Sequence, residues 1–128
     1  MATFGKYETI PGLIATGDLS ASQYLVVKAA TTSKAVKVAT TAATDPVLGV
    51  LQNDPASGEA AEVAFSGICK VKAATSVTFG APVTFNSTGY VKTTSTDGNR
   101  IVGIALEASD TAGDIISLLL GIYDRYVA

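Results

Sequence analysis

The sequence predicts an all-β domain, a small compact barrel or sandwich of short strands with little helix. Three observations carry that expectation. Short apolar runs rich in β-branched residues alternate with turn-forming clusters along the chain. Residues 68–73 (ICKVKA) set Lys70 and Lys72 alternately with Cys69, Val71 and Ala73, the period of two of a strand with one wet and one dry face. The segment 47–67 (VLGVLQNDPASGEAAEVAFSG) reappears loosely as 101–121 (IVGIALEASDTAGDIISLLLG). Each copy is an apolar run broken by a glycine (Gly49, Gly103), a polar loop, a Gly-acid pair, a second apolar run and a closing glycine (Gly67, Gly121). Ala35-Val36-Lys37-Val38 likewise precedes Gly89-Tyr90-Val91-Lys92 by 54 positions, as Val47 precedes Ile101. Residues of about 20–67 and 75–121 therefore read as two related halves, with chance similarity among Ala-, Val- and Gly-rich strands as the competing explanation.

The elements follow in order. Residues 1–14 hold Phe4, Tyr7 and a Pro11-Gly12 turn without a clear period, and read either as a frayed terminus or as an arm that orders on a partner. A single β domain is expected over 15–122, and a short tail over 123–128 (YDRYVA for residues 123–128) that packs on the body or on a neighbour. Only the start of 17–30 offers a helix, with Asp18 or Ser20 as its N-cap. Strands are expected at 24–29 and 35–39, with 40–44 as loop, then at 47–51 after the Asp45-Pro46 turn. A strand at 62–65 leads through Ser66-Gly67 into 68–73. Gly80-Ala81-Pro82 bends 77–85 into two short strands, because proline cannot donate to a ladder. Residues 86–89 form a turn before a strand at 90–93, and Asp97-Gly98 signals a hairpin turn before 101–106. Residues 115–120 close the domain.

At 128 residues the chain is one domain with a modest core. Charged residues make up only 16%, against roughly 25% in an average soluble protein, with twenty alanines and sixteen threonines filling the space. So little charge suits a surface largely covered by partners. The net charge is −2 and the nine basic residues are scattered, which argues against direct nucleic-acid binding. One cysteine excludes an internal disulfide and fits synthesis in a reducing cytosol. The N-terminus does not read as a secretory signal, and the longest apolar run, residues 115–122, is far short of a membrane-spanning helix.

Catalytic chemistry is hard to find. Without histidine the usual general base, the familiar triads and the commonest zinc ligand are absent. Cys69 reads as a buried small hydrophobe. The carboxylates sit mostly in turns; 53–59 and 110–114 lack the spacing of a dedicated calcium loop, and no Gly-rich phosphate loop is present. Asn86-Ser87-Thr88 matches the glycosylation pattern but reads as a turn. No catalytic, cofactor or metal residues are expected.

Phe79-Gly80-Ala81-Pro82-Val83, Ser87-Thr88-Gly89-Tyr90-Val91, Ile101-Val102-Gly103-Ile104-Ala105-Leu106 and Ala112-Gly113-Asp114 before a last apolar strand resemble the C-terminal half of tailed-phage capsid decoration proteins, also called cement or head-stabilising proteins. The resemblance spans about 15–121 and is less sharp in the leading half. It implies a compact, β-tulip-like domain bound to the outer face of the expanded capsid, stabilising the shell against its DNA. It also implies the major capsid (coat) protein as partner, a homo-oligomer with a trimer favoured, and no nucleic-acid or membrane partner. The location implied is the virion exterior after synthesis in the host cytoplasm. An N-terminal arm reaching the coat protein would place capsid contacts at Phe4, Lys6 and Tyr7. The alternatives are a head fibre or tail component, a β-barrel module binding a small ligand, and an enzyme using Asp54, Glu59, Asp110 or Asp114.

Overall fold

The computed structural model describes residues 6–74, 76–94 and 98–123, with the side chains of Ile122 and Tyr123 left aside. Among them are ten strands and no helix: β1 (Tyr7–Thr9), β2 (Ile14–Ala15), β3 (Val26–Ala29), β4 (Ala35–Val38), β5 (Val47–Leu51), β6 (Val63–Lys72), β7 (Pro82–Phe85), β8 (Val91–Thr93), β9 (Ile101–Ala105) and β10 (Ile115–Tyr123). They form one open sheet in the order β2-β4-β3-β5-β6-β10-β9-β7-β8, with β1 paired to β6 off that path. The all-β class stands; of the two expected shapes, the closed barrel is corrected to an open, sandwich-like sheet whose end strands β2 and β8 do not pair.

The sheet order is a palindrome of two four-strand units, β4-β3-β5-β6 and β10-β9-β7-β8. The doubling read from the sequence is a doubling of hydrogen bonds. Ala15 N donates to Glu59 O (2.9 Å) and Ala73 N to Asp114 O (2.8 Å). Thr16 N donates to Val36 O (2.9 Å) and Ala74 N to Val91 O (2.8 Å). Tyr24 N donates to Leu51 O (2.6 Å) and Gly80 N to Ala105 O (2.7 Å). Gln52 N donates to Glu62 O (2.7 Å) and Leu106 N to Ser117 O (3.0 Å). The separation between equivalents is 58 at Ala15/Ala73, 56 at Tyr24/Gly80, 55 at Val36/Val91 and 54 at Leu51/Ala105. The β4–β8 equivalence is thus one residue longer than the 54 counted from sequence, because Val36 and not Lys37 matches Val91. The first copy holds Tyr24 and Lys34 at positive φ where the second uses Gly80 and Gly89.

The buried side chains repeat too. Leu19, Val27, Val36, Leu51 and Val63 pack in one cluster, and Val77, Val83, Val91, Ala105 and Leu118 hold the matching places in the other. Burial of such side chains at roughly 1.5–3 kcal/mol each is the main favourable term holding either half.

Gly49 and Gly103 explain why each copy carries a glycine within its strand. A methyl group on Gly49 would collide with the Ala64 carbonyl oxygen, and one on Gly103 with that of Leu119. Both glycines let the neighbouring strand, β6 or β10, come in close.

Other expectations are corrected. Ser66-Gly67 does not separate two strands: β6 runs unbroken for ten residues through Gly67, which takes a φ of +102° and whose lack of a side chain lets Lys6 and Tyr7 lie against it. No helix follows Asp18; its Oδ1 accepts from Ser20 N (3.0 Å), a capping-type bond that closes a turn instead. Asp97-Gly98 lies partly outside the described residues, but the strands around it do not form a hairpin, since β7 sits between β8 and β9. Pro82 opens β7, where its missing donor costs nothing.

Candidate functional site

The N-terminal segment is the first candidate, since Phe4, Lys6 and Tyr7 were its expected contacts. Phe4 lies outside the described residues. β1 runs antiparallel to β6 with Tyr7 opposite Gly67 and Glu8 opposite Ser66, then shifts register so that Thr9 meets Ala64. Ile68 N donates to Lys6 O (2.8 Å) and Ile10 N to Val63 O (3.0 Å), so the segment is fastened on both sides of that shift. The Tyr7 ring packs against the larger core cluster, and its hydroxyl donates to Glu62 Oε2 at 2.5 Å. That hydrogen bond, then burial, pushes the phenol up to about 12. Lys6, Tyr7, Glu8, Ser66 and Gly67 line a shallow groove of about 320 Å³. Tyr7 is therefore held by the body, and Lys6 stands at the rim of the groove.

The carboxylates settle into turns. Glu59 Oε1 accepts from Ala56 N (2.8 Å), and the Asn53 side chain ties Ala60 O to Glu62 N. Ser109 Oγ bridges Thr111 O and Asp114 Oδ2, both at 3.2 Å, and Asp110 Oδ1 accepts from Thr111 Oγ1. Asp45 is the most engaged: one oxygen accepts from Thr40 N and Thr41 N (both 2.8 Å) and meets Lys28 Nζ at 3.0 Å. Burial opposes its charge, but those two amides and the ammonium outweigh it and hold the carboxyl below its usual value. This cluster staples the 40–44 loop to β3. Among the described residues no three His, Cys, Asp or Glu side chains come together as a metal site. Cys69 points inward with Val71, and burial pushes its thiol up to about 12, far from the thiolate a nucleophile needs.

A third feature was missed in the sequence. Leu119 is 45% exposed on β10, and its cross-strand neighbours are Ile68 on β6 and Ile104 on β9, with Pro82 of β7 opposite Ile104. Directly opposed residues share a face, so these four side chains form one half-exposed apolar row across four strands. The signal was present in residues 115–120, which are apolar on nearly every position where a half-wet strand would alternate. Phe79, 67% exposed in the turn before β7, and Phe65 at 41% on β6 add to the apolar surface.

A sequence model described as phage cement protein matches residues 17–120. Among solved structures, the N base of the head fibre of bacteriophage phi29 is similar in fold, with a TM-score of 0.67 at 16% identity over 98% of this chain and 99% of that one. No curated protein matches the chain.

Proposed function

This chain belongs to the phage cement protein family, a structural component of the virion head, and from that premise we propose that it binds the outer surface of the expanded capsid and stabilises it against internal DNA pressure. The observation that carries the proposal is the family match over 17–120, set on a fold whose carboxylates close turns and whose lone thiol is buried. A ligand that binds only the assembled lattice stabilises that lattice by mass action, by roughly 2.7 kcal/mol per site at a hundred times its Kd. Many copies on one shell add avidity. No catalytic step is needed for such work.

The coat protein of a tailed phage is the proposed partner, and a homo-oligomer, with a trimer favoured, is the proposed binding unit. Residues 1–14 are the proposed arm, with Phe4, Lys6 and Tyr7 in the contact region; 15–122 form the body and 123–128 a tail. The pairing of β1 supports a division of labour within the arm: Tyr7, bound through Glu62, fixes the root beside the groove, and the coat-protein contact is assigned to Phe4 and Lys6. Backbone pairing with an edge of the coat protein would supply affinity without a side-chain pocket.

The test is cosedimentation with expanded, DNA-free capsids and with unexpanded procapsids of the source phage. Binding to expanded shells alone, saturating at hundreds of copies, is the expected result; binding to neither refutes it. Removing residues 1–5 should abolish binding while leaving the folded body, and unchanged occupancy would refute the arm. The likeness in fold to a head fibre base supports a second reading as a fibre component, which predicts far fewer copies per particle.

A further inference from the structure

We infer that the half-exposed row Pro82–Ile104–Leu119–Ile68 is the face on which a second copy of this chain docks. The argument comes from the repeat. In the first half the equivalent row is Val26–Val50–Ala64, paired directly across β3, β5 and β6. The match is residue by residue: Val26 with Pro82, Val50 with Ile104, Ala64 with Leu119, at separations of 56, 54 and 55.

The two rows have opposite fates. Val26, Val50 and Ala64 are fully buried, because the second half of the same chain covers them. They join one core cluster with Cys69, Val71, Phe85 and Val91. Backbone bonds seal the contact: Val26 N donates to Gly89 O (3.0 Å) and Lys72 N to Tyr24 O (2.8 Å). The second half presents the same row, built of larger apolar side chains, and among the described residues it is left half-exposed. A solvent-facing row would carry polar residues at these positions. In the first half, the surface that fits such a row belongs to another module of this protein. A second copy is therefore the occupant.

The inference deepens the proposed oligomer by assigning its face, and it is tested on free protein so that capsid binding does not enter. Light scattering on the full chain at about 100 μM should give a multiple of the 13.0 kDa chain mass. Leu119→Glu should give the chain mass instead, with an unchanged far-ultraviolet spectrum, because Leu119 already faces solvent in the single chain. Ile104→Lys is the second disrupting variant, and Ser87→Glu, in the exposed 86–89 turn, is the control that keeps the wild-type mass. At least a hundredfold weaker self-association is expected for both disrupting variants. A monomeric wild type overturns the inference, as does a folded Leu119→Glu that keeps the wild-type mass. If the wild type is monomeric and Leu119→Glu loses only capsid occupancy, the face belongs to the coat protein and the cement reading stands. If wild-type self-association is lost in Leu119→Glu but neither protein binds expanded shells, the inference stands and the cement reading falls.

Discussion

Replacing Gly103 by alanine should be among the most damaging single-methyl changes available. The new carbon would collide with the Leu119 carbonyl oxygen and sit 3.1 Å from both Leu119 C and Leu118 Cδ1. Relief requires β9 and β10 to move apart where Gly103 faces Leu120 and Ile104 faces Leu119. Overpacking of this kind costs about 1–3 kcal/mol, and a buried ladder group left without its partner adds about 1–3 more, so about 4 kcal/mol is expected. At about 2.1 cal/mol/K per residue the unfolding entropy of this chain is about 0.27 kcal/mol/K, which converts the loss to a fall of about 15 °C in Tm. Gly49→Ala should cost as much, since its methyl meets Ala64 O, Ala64 C at 2.9 Å and Val63 Cγ1 at 3.0 Å. Gly113→Ala is the control: nothing lies within 4 Å, and only its φ of +92° is penalised, by about 1 kcal/mol. Urea and thermal unfolding followed by circular dichroism decide the matter. A loss below 1 kcal/mol at Gly103 refutes the close approach, and a large loss at only one of the two refutes their equivalence.

Three further outcomes are expected. Asp45→Asn should lose about 2 kcal/mol at pH 7, because charge-assisted bonds to Thr40, Thr41 and Lys28 go with the charge. Since folding lowers this carboxyl below its ordinary value of 3.8, the advantage of the wild type is complete above that value and vanishes as pH falls through the lower folded one, which paired unfolding curves from pH 7 to 2 would show. Thr84→Val should stabilise by about 1 kcal/mol in urea unfolding, because the fully buried Thr84 hydroxyl has no hydrogen-bond partner among the described residues. Tyr7→Phe should weaken the docking of β1 by about 1 kcal/mol, read as faster hydrogen exchange at the Ile10 and Ile68 amides. Folding raises the Tyr7 phenol from 10.0 to about 12, so the wild-type contribution is intact below pH 10 and is lost as pH rises toward 12.

Local chemistry was legible in the sequence wherever it alone decides. Val47–Leu51 is a strand with the bounds its apolar run suggested, and Lys70 and Lys72 alternate with Cys69 and Val71 across a real pleat. Glycine was harder to read. Gly67 looks like punctuation in a sequence, yet here it is a strand residue that makes room for β1. Strand order escaped for a different reason: a hairpin signal at Asp97-Gly98 is local, whereas the insertion of β7 between β8 and β9 is decided by side chains far apart in the chain. The unbroken apolar character of residues 115–120 hinted at an uncovered face, but the row around Leu119 could not be assembled from sequence, because its members come from four strands and only the pairing register brings them to one face.

β6 belongs to both halves at once. Its first residues, Val63 and Ala64, complete the first unit beside β5, and Gly67 through Lys72 lie along β10 as the outer wall of the second. Neither unit can therefore be excised as a domain, and a cut on either side of β6 robs one of them of a wall. Local opening that stays confined to one half while the other remains intact has no seam along which to run. Thermal and chemical unfolding should then be a single cooperative transition despite the internal duplication, with the β6 amides exchanging only through global unfolding. For a clamp spread over a pressurised shell, such all-or-none behaviour means that each copy holds at full strength until it lets go.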